Sequence, residues 1–184
     1  MKNYEFWFIV GSQCLYGPEV LATVDVRAKE MAETLSKALP YPVVYKVTAK
    51  SAGEIADTIK EANYHDECAG IITWCHTFSP SKMWINGLVS LQKPWCHFAT
   101  QYNREIPNEK IDMDFMNLNQ AAHGDREHGF IGARLRTPRK VIAGAGAGAA
   151  GKLDEGGGRR GGIEEHEGHA LRRQYAGGGR HRGR

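Results

Sequence analysis

Long apolar runs, clustered cysteines and a net charge on the main body are all missing from this 184-residue sequence, and each absence removes a class of protein. Without a continuous apolar stretch of about 20 residues there is no candidate transmembrane helix, and no signal peptide precedes the first charged segment. Cys14, Cys68, Cys75 and Cys96 are too few for a disulfide scaffold, so a soluble, reducing, cytoplasmic protein is expected. Residues 1–140 carry equal numbers of basic and acidic side chains, and the whole excess of +3 falls after them. A balanced body gives no electrostatic argument for nucleic acid or an anionic membrane as partner. Also absent are a Walker lysine motif and any convincing pair of carboxylates or nucleophile with its base, so the chain offers binding groups without an evident catalytic engine.

From Ala143 onward the larger apolar side chains are reduced to Leu153, Ile163, Leu171 and Tyr175, with no Phe, Trp or Met among Gly, Ala, Arg, Glu and His. Such a segment cannot bury enough surface to offset its ordering entropy. Two regions are therefore expected: an amino-terminal α/β domain over 1–143 and a low-complexity tail over 144–184. Gly, Ala and Arg, which recur through the tail, are encoded by GC-rich codons, which suggests a non-native or out-of-frame segment.

What is present before that break alternates regularly. An apolar run over 4–10 reads as a strand and ends in Gly11-Ser12-Gln13-Cys14-Leu15-Tyr16-Gly17-Pro18-Glu19, where two glycines permit close backbone approach and Ser12, Gln13 and Tyr16 supply neutral hydrogen-bonding groups suited to hydroxyls. Pro18 suits a first helical turn, and Leu21, Val24, Met31, Leu35 and Leu39 mark a buried stripe that ends before Pro40. Strands follow over 43–47, 68–74, 94–99 and 140–143. Between them, Ser51 and Glu54 have capping-box spacing, Ser79-Pro80 reads as an N-cap with proline at the first helical position, and 112–136 has mixed helical character. The order predicts a parallel doubly wound, flavodoxin-like or Rossmann-like three-layer α/β sandwich, truncated near its fifth strand. Its ligand crevice lies at the carboxyl ends of the strands.

Several motifs are weaker than they look. Gly146-Ala147-Gly148-Ala149-Ala150-Gly151 matches the dinucleotide pattern, but no amphipathic helix follows to hold a pyrophosphate. The arginines near the end lack interleaved aromatics for stacking on bases. Cys75-His76 and Cys96-His97 suggest a zinc quartet, yet adjacent strand residues point to opposite faces, so packing or hydrogen bonding is expected of all four and no metal ligand is assigned. Met83, Trp84 and Trp95 read as core. His123, just after Asn117, Asn119 and Gln120, is compatible with hydroxyl recognition as well as with structure.

Residues 7–19, together with His76-Thr77-Phe78-Ser79-Pro80-Ser81-Lys82-Met83-Trp84-Ile85-Asn86-Gly87-Leu88, Asp112-Met113-Asp114-Phe115-Met116-Asn117-Leu118-Asn119-Gln120 and the stretch from His123-Gly124 to Arg134, closely resemble the amino-terminal part of bacterial L-arabinose isomerases. The resemblance implies interconversion of L-arabinose and L-ribulose, with D-galactose to D-tagatose as a side reaction, through an enediol and helped by manganese. It also implies that the catalytic and metal-binding residues lie in later domains, so that this chain has none of them, needs no cofactor alone and is inactive alone. By motif match, Gln13, Leu15, Phe78, Gln120 and His123 would form a sugar-binding wall that completes the site of a neighbouring subunit, in trimers that pair into hexamers. The alternative is a stand-alone flavodoxin-like module that binds a nucleotide or flavin.

Overall fold

The computed structural model describes residues 3–103, 105, 109 and 111–144. Five strands form one parallel sheet: β1 (Glu5–Gly11), β2 (Val43–Ala49), β3 (Cys68–Cys75), β4 (Trp95–Thr100) and β5 (Lys140–Gly144), in the order β2-β1-β3-β4-β5. That is the flavodoxin-like order of a doubly wound sheet, in which the chain reverses direction of growth between β1 and β3. The helices are α1 (Gly17–Ala38), α2 (Ala52–Tyr64), α3 (Ile85–Ser90), α4 (Met113–Leu118) and α5 (Ala121–Arg134), with short 3-10 turns at Cys14–Tyr16 and Ser81–Trp84.

Alternation along β1 divides the interior into two cores, one on each face of the sheet. Phe8 and Val10 join Ile72, Trp74 and Phe98 beneath the α1 stripe of Val24, Ala28, Met31, Ala32 and Leu35. Trp7 and Ile9 join Ile71 and Trp95 beneath Ile55, Ile59 and Ala62 of α2, with Trp84 and Leu88 beside them. Helices cover both faces of the central strands, which explains why β3 is apolar nearly throughout rather than alternating. Trp7, Trp74 and Trp84 are completely enclosed, so the expected core role of Trp84 holds, and Trp95 is also buried.

Local signals hold where a side chain meets its own backbone. Pro18 lies in the first turn of α1. Ser51 Oγ accepts from the Glu54 amide at 3.2 Å while Glu54 Oε2 accepts from the Ser51 amide at 3.1 Å, completing the capping box of α2. The expected cap at Ser79 is the exception. Pro80, not Ser79, precedes the 3-10 turn, and Ser79 Oγ instead accepts from Trp84 Nε1 at 3.1 Å. The cause is tertiary: a Cβ at Gly11 would lie 2.4 Å from Ser79 Oγ, so this serine is pressed against β1 and spent on the tryptophan. The mixed segment resolves into two helices, α4 capped by Asp112 and α5 lying against β3 and β4.

β5 pairs with β4 on one side and forms the sheet edge on the other. The glycine pattern over 146–151 and the arginine-rich end lie outside the described residues. Among the described residues, no helix is long and apolar enough to cross a membrane.

Candidate functional site

The carboxyl ends of β1 and β3 carry the loop over 11–19 and the segment after Cys75 side by side. Gly11 is the contact point, since any side chain there would collide with Ser79 and with Trp84 at 2.9 Å. Just beyond it, the buried hydroxyls of Ser12 and Thr77 lie 2.7 Å apart, tying the two loops together. Gln13 extends the tie outward: its Nε2 donates to the Phe78 carbonyl at 2.9 Å. The Phe78 ring in turn meets His123 edge-on, with centroids 6.1 Å apart and planes at 74°. His123 stands exposed in the first turn of α5.

Gln13, Phe78 and His123 thus form one continuous line of contacts. Gln120 immediately precedes α5, and its Nε2 donates to Asn117 Oδ1 at 3.2 Å. Part of the amide cluster is committed internally: Asn119 Nδ2 donates to the Phe115 carbonyl and its Oδ1 accepts from Asn103. Leu15 projects into solvent, 71% exposed, at the rim of a cleft of about 200 Å³ that it shares with Tyr16, Val20, Asp114 and Asn117. Burial raises the Tyr16 phenol above its ordinary value, against the opposing pull of the Phe78 backbone and Gln13. A larger groove of about 470 Å³ lies along α1 and β2, between Lys29, Glu33, Lys37 and Tyr45. It lies at the amino end of β2, away from the carboxyl ends of the strands, and is lined by lysine stems.

Beneath this line of contacts lies a polar cluster whose members are far apart in sequence. Thr73 and Cys75 alternate along β3 and share a face. His97 of β4 stacks on His128 of α5, with ring centroids 4.3 Å apart and planes at 11°. His97 Nδ1 meets Thr73 Oγ1 at 2.9 Å and its Nε2 meets Asp125 Oδ1 at 2.8 Å. His128 Nδ1 meets Ser81 Oγ at 2.7 Å and the Gly124 carbonyl at 3.1 Å. A Cβ at Gly124 would lie 3.1 Å from Cys75 Sγ, so this glycine lets α5 settle onto the end of β3. Desolvation holds His97 down at about 4 and His128 at about 3, raises the Asp125 carboxyl to about 8 and pushes the Cys75 thiol well up. Burial thus disfavours charge on each of these four groups.

On the opposite face, His76 stacks between Trp74 and Tyr102, and Arg27 donates to its Nε2 at 3.0 Å. Cys75 and His76 do point to opposite faces, as strand alternation requires. Cys75 and His97, however, share one cluster, completed by His128 rather than by the other members of the considered quartet. The available signal was Asp125 and His128, three apart on one helical face beside Gly124.

The family described as L-arabinose isomerase N-terminal domain matches residues 1–152. Among curated relatives, L-arabinose isomerases of Clostridium beijerinckii and Oceanobacillus iheyensis are each 58% identical, over 145 and 146 residues. That of Thermotoga petrophila is 56% identical over 146 residues. Each alignment covers 78% of this chain but only 30%, 31% and 29% of the respective relative. Among solved structures, an azoreductase from Bacillus anthracis str. Sterne covers 83% of this chain and 92% of its own at 13% identity, with a TM-score of 0.33, too low to bear on the site.

Proposed function

This chain belongs to the L-arabinose isomerase N-terminal domain family, and on that premise we propose that it supplies the substrate-facing wall and an assembly surface of an aldose–ketose isomerase acting on L-arabinose and L-ribulose, with D-galactose and D-tagatose as further substrates. The observation that carries this reading is the line Gln13–Phe78–His123 at the carboxyl ends of β1 and β3. Neutral amide and imidazole groups suit sugar hydroxyls, which both donate and accept. The work of this wall is orientation and exclusion of water, with Gln13 anchored by the Phe78 carbonyl so that its amide oxygen is left to accept. Leu15, with Met113 and Met116 also exposed nearby in sequence to the cleft residues, gives the same surface an apolar rim that fits a neighbouring subunit in a trimer or hexamer.

Proton transfer between C1 and C2 of the sugar is assigned to the part of the relatives that this chain does not match. Manganese is assigned there too, because it favours oxygen-rich ligand sets. Among the described residues the group that could hold an ion is a thiol and two imidazoles, which does not fit it. A cytoplasmic, non-membrane setting without nucleic acid agrees with a sugar substrate and with the balanced charge of residues 1–140. The nucleotide- or flavin-binding alternative gains nothing, since the cleft at the strand ends is smaller than the roughly 300–1,000 Å³ usual for such ligands.

The test is a chimera in which residues 1–144 replace the matched segment of the Clostridium beijerinckii enzyme. It should isomerise L-arabinose, and Gln13→Ala should lower kcat/KM about 3- to 10-fold, the worth of one neutral hydrogen bond. A folded chimera without activity, or one indifferent to Gln13, would sink the assignment.

A further inference from the structure

We propose that Cys75, His97 and His128 form a buried site for one soft divalent metal ion of the zinc or cobalt type, separate from the sugar wall. The Cys75 thiol and one nitrogen from each imidazole all lie within 4.8 Å of one another. Ligand atoms around a tetrahedral ion of this type stand roughly 3.3–3.8 Å apart, from metal–sulfur and metal–nitrogen bonds of about 2.3 and 2.0 Å. The closure is made by side chains: His97 and His128, now stacked at 4.3 Å with planes 11° apart, must turn out of that stack so that both ring planes contain the ion.

Two of the three ligands have unused capacity. His128 is 1% exposed, yet its Nε2 has no hydrogen-bond partner. Leaving a buried polar atom unpaired costs stability unless something occupies it. Its Nδ1 lies 2.7 Å from Ser81 Oγ and 3.1 Å from the Gly124 carbonyl; with the Ser81 hydroxyl donating to that carbonyl at 3.3 Å, Nδ1 donates and Nε2 presents a lone pair. Among the described residues, no hydrogen bond engages Cys75 Sγ. For His97, the Asp125 carboxylate at Nε2 is the arrangement by which a carboxylate orients a metal-binding imidazole and leaves its other nitrogen as the donor. That nitrogen now meets Thr73, whose hydroxyl has the Cys96 carbonyl 3.3 Å away as a second acceptor and can release it.

Charge supports a dication. A thiolate at Cys75 and a carboxylate at Asp125 together neutralise it, while the charges of Glu127 beside Cys75 and Arg139 beside His97 offset each other, and a neutral site is the kind a dry interior tolerates. The ligand set favours zinc or cobalt over magnesium or manganese, which prefer oxygen. The ligands come from β3, β4 and α5, so the ion would pin α5 to the sheet immediately below His123.

The complete 184-residue chain, produced in cobalt-supplemented medium and equilibrated with Co²⁺ under a non-thiol reductant, provides the test. The expected result is about one cobalt per chain, a thiolate-to-cobalt charge-transfer band and a melting temperature several degrees above the metal-free protein. Cys75→Ser should abolish the band, whereas Cys14→Ser, at an exposed thiol, should keep it. His128→Phe preserves a ring against Trp84 and His97 while deleting the ligand atom, and should weaken binding at least tenfold. Asp125→Asn, at the positioning residue, should weaken it about 10- to 100-fold. The proposal is overturned if no cobalt is retained, if the band survives Cys75→Ser, or if folded His128→Phe binds as tightly as the parent.

Discussion

At the scale of single residues, burial determines which polar groups are charged. His76 illustrates this because its partner identifies its state: a guanidinium can only donate, so His76 Nε2 must accept and the ring must be neutral. Desolvation first, and then the Arg27 charge, lower His76 to about 4 from its ordinary value of 6.5. Between those values the unfolded chain binds the proton and the folded one does not. The stabilisation is therefore complete above pH 6.5 and is lost as the pH falls through about 4. Urea unfolding followed from pH 7 to 4 should show stability falling, and His76→Gln should make the slope shallower by up to about 1.4 kcal/mol per pH unit, one proton's worth. An unchanged slope would mean that His76 is protonated in the folded state. Residue identity alone does not reveal this. The sequence shows a histidine after a strand, but only the fold shows Trp74, Tyr102 and Arg27 closing around it.

At the scale of elements, the signals that could be read were those in which a segment answers to itself. The capping box of α2, the Pro18 start of α1 and the five apolar runs are local in this sense, and each is found where expected. Ser51→Ala should cost about 0.5–2 kcal/mol, because it removes the acceptor for the Glu54 amide while leaving the backbone donors to Glu54 Oε2 in place. The loss should appear as a lower urea midpoint with an unchanged m-value; a neutral effect would show that α2 is held by Ile55 and Ile59 alone. Ser79 was misread for the complementary reason. Its spacing to Pro80 is that of a cap, but Gly11 and Trp84, distant in sequence, claim its hydroxyl. The Cys75–His97–His128 cluster escaped in the same way. Its members come from three elements, and their meeting depends on β3 pairing with β4 and on α5 settling onto the strand end through Gly124. The line from Gln13 to His123 was found only through family resemblance, since spacing gives no reason for positions 13, 78 and 123 to meet.

At the scale of the whole molecule, the question is what a chain of this family can do alone. The matched region amounts to about 30% of the curated relatives. Within the described residues, the proposed wall holds amide, imidazole and apolar groups. The one carboxyl raised towards neutral pH, Asp125, belongs to a cluster below that wall and is bonded to His97. Shuttling a proton between adjacent sugar carbons needs a base within hydrogen-bond reach of the carbon acid, tuned near the working pH. Gln13, Leu15, Phe78 and Gln120 cannot serve, and His123 alone lacks an electrophile to stabilise the enediol. The 184-residue chain should therefore give no ribulose above the uncatalysed background when incubated with L-arabinose and manganese, whereas the chimera carrying the same 144 residues should turn over. A chain free of contaminating isomerase that produces ribulose by itself would place a complete catalytic set within these residues and refute the division of labour. If both fail while the chimera assembles like its parent, the role proposed for the Gln13–Phe78–His123 line falls with the assignment.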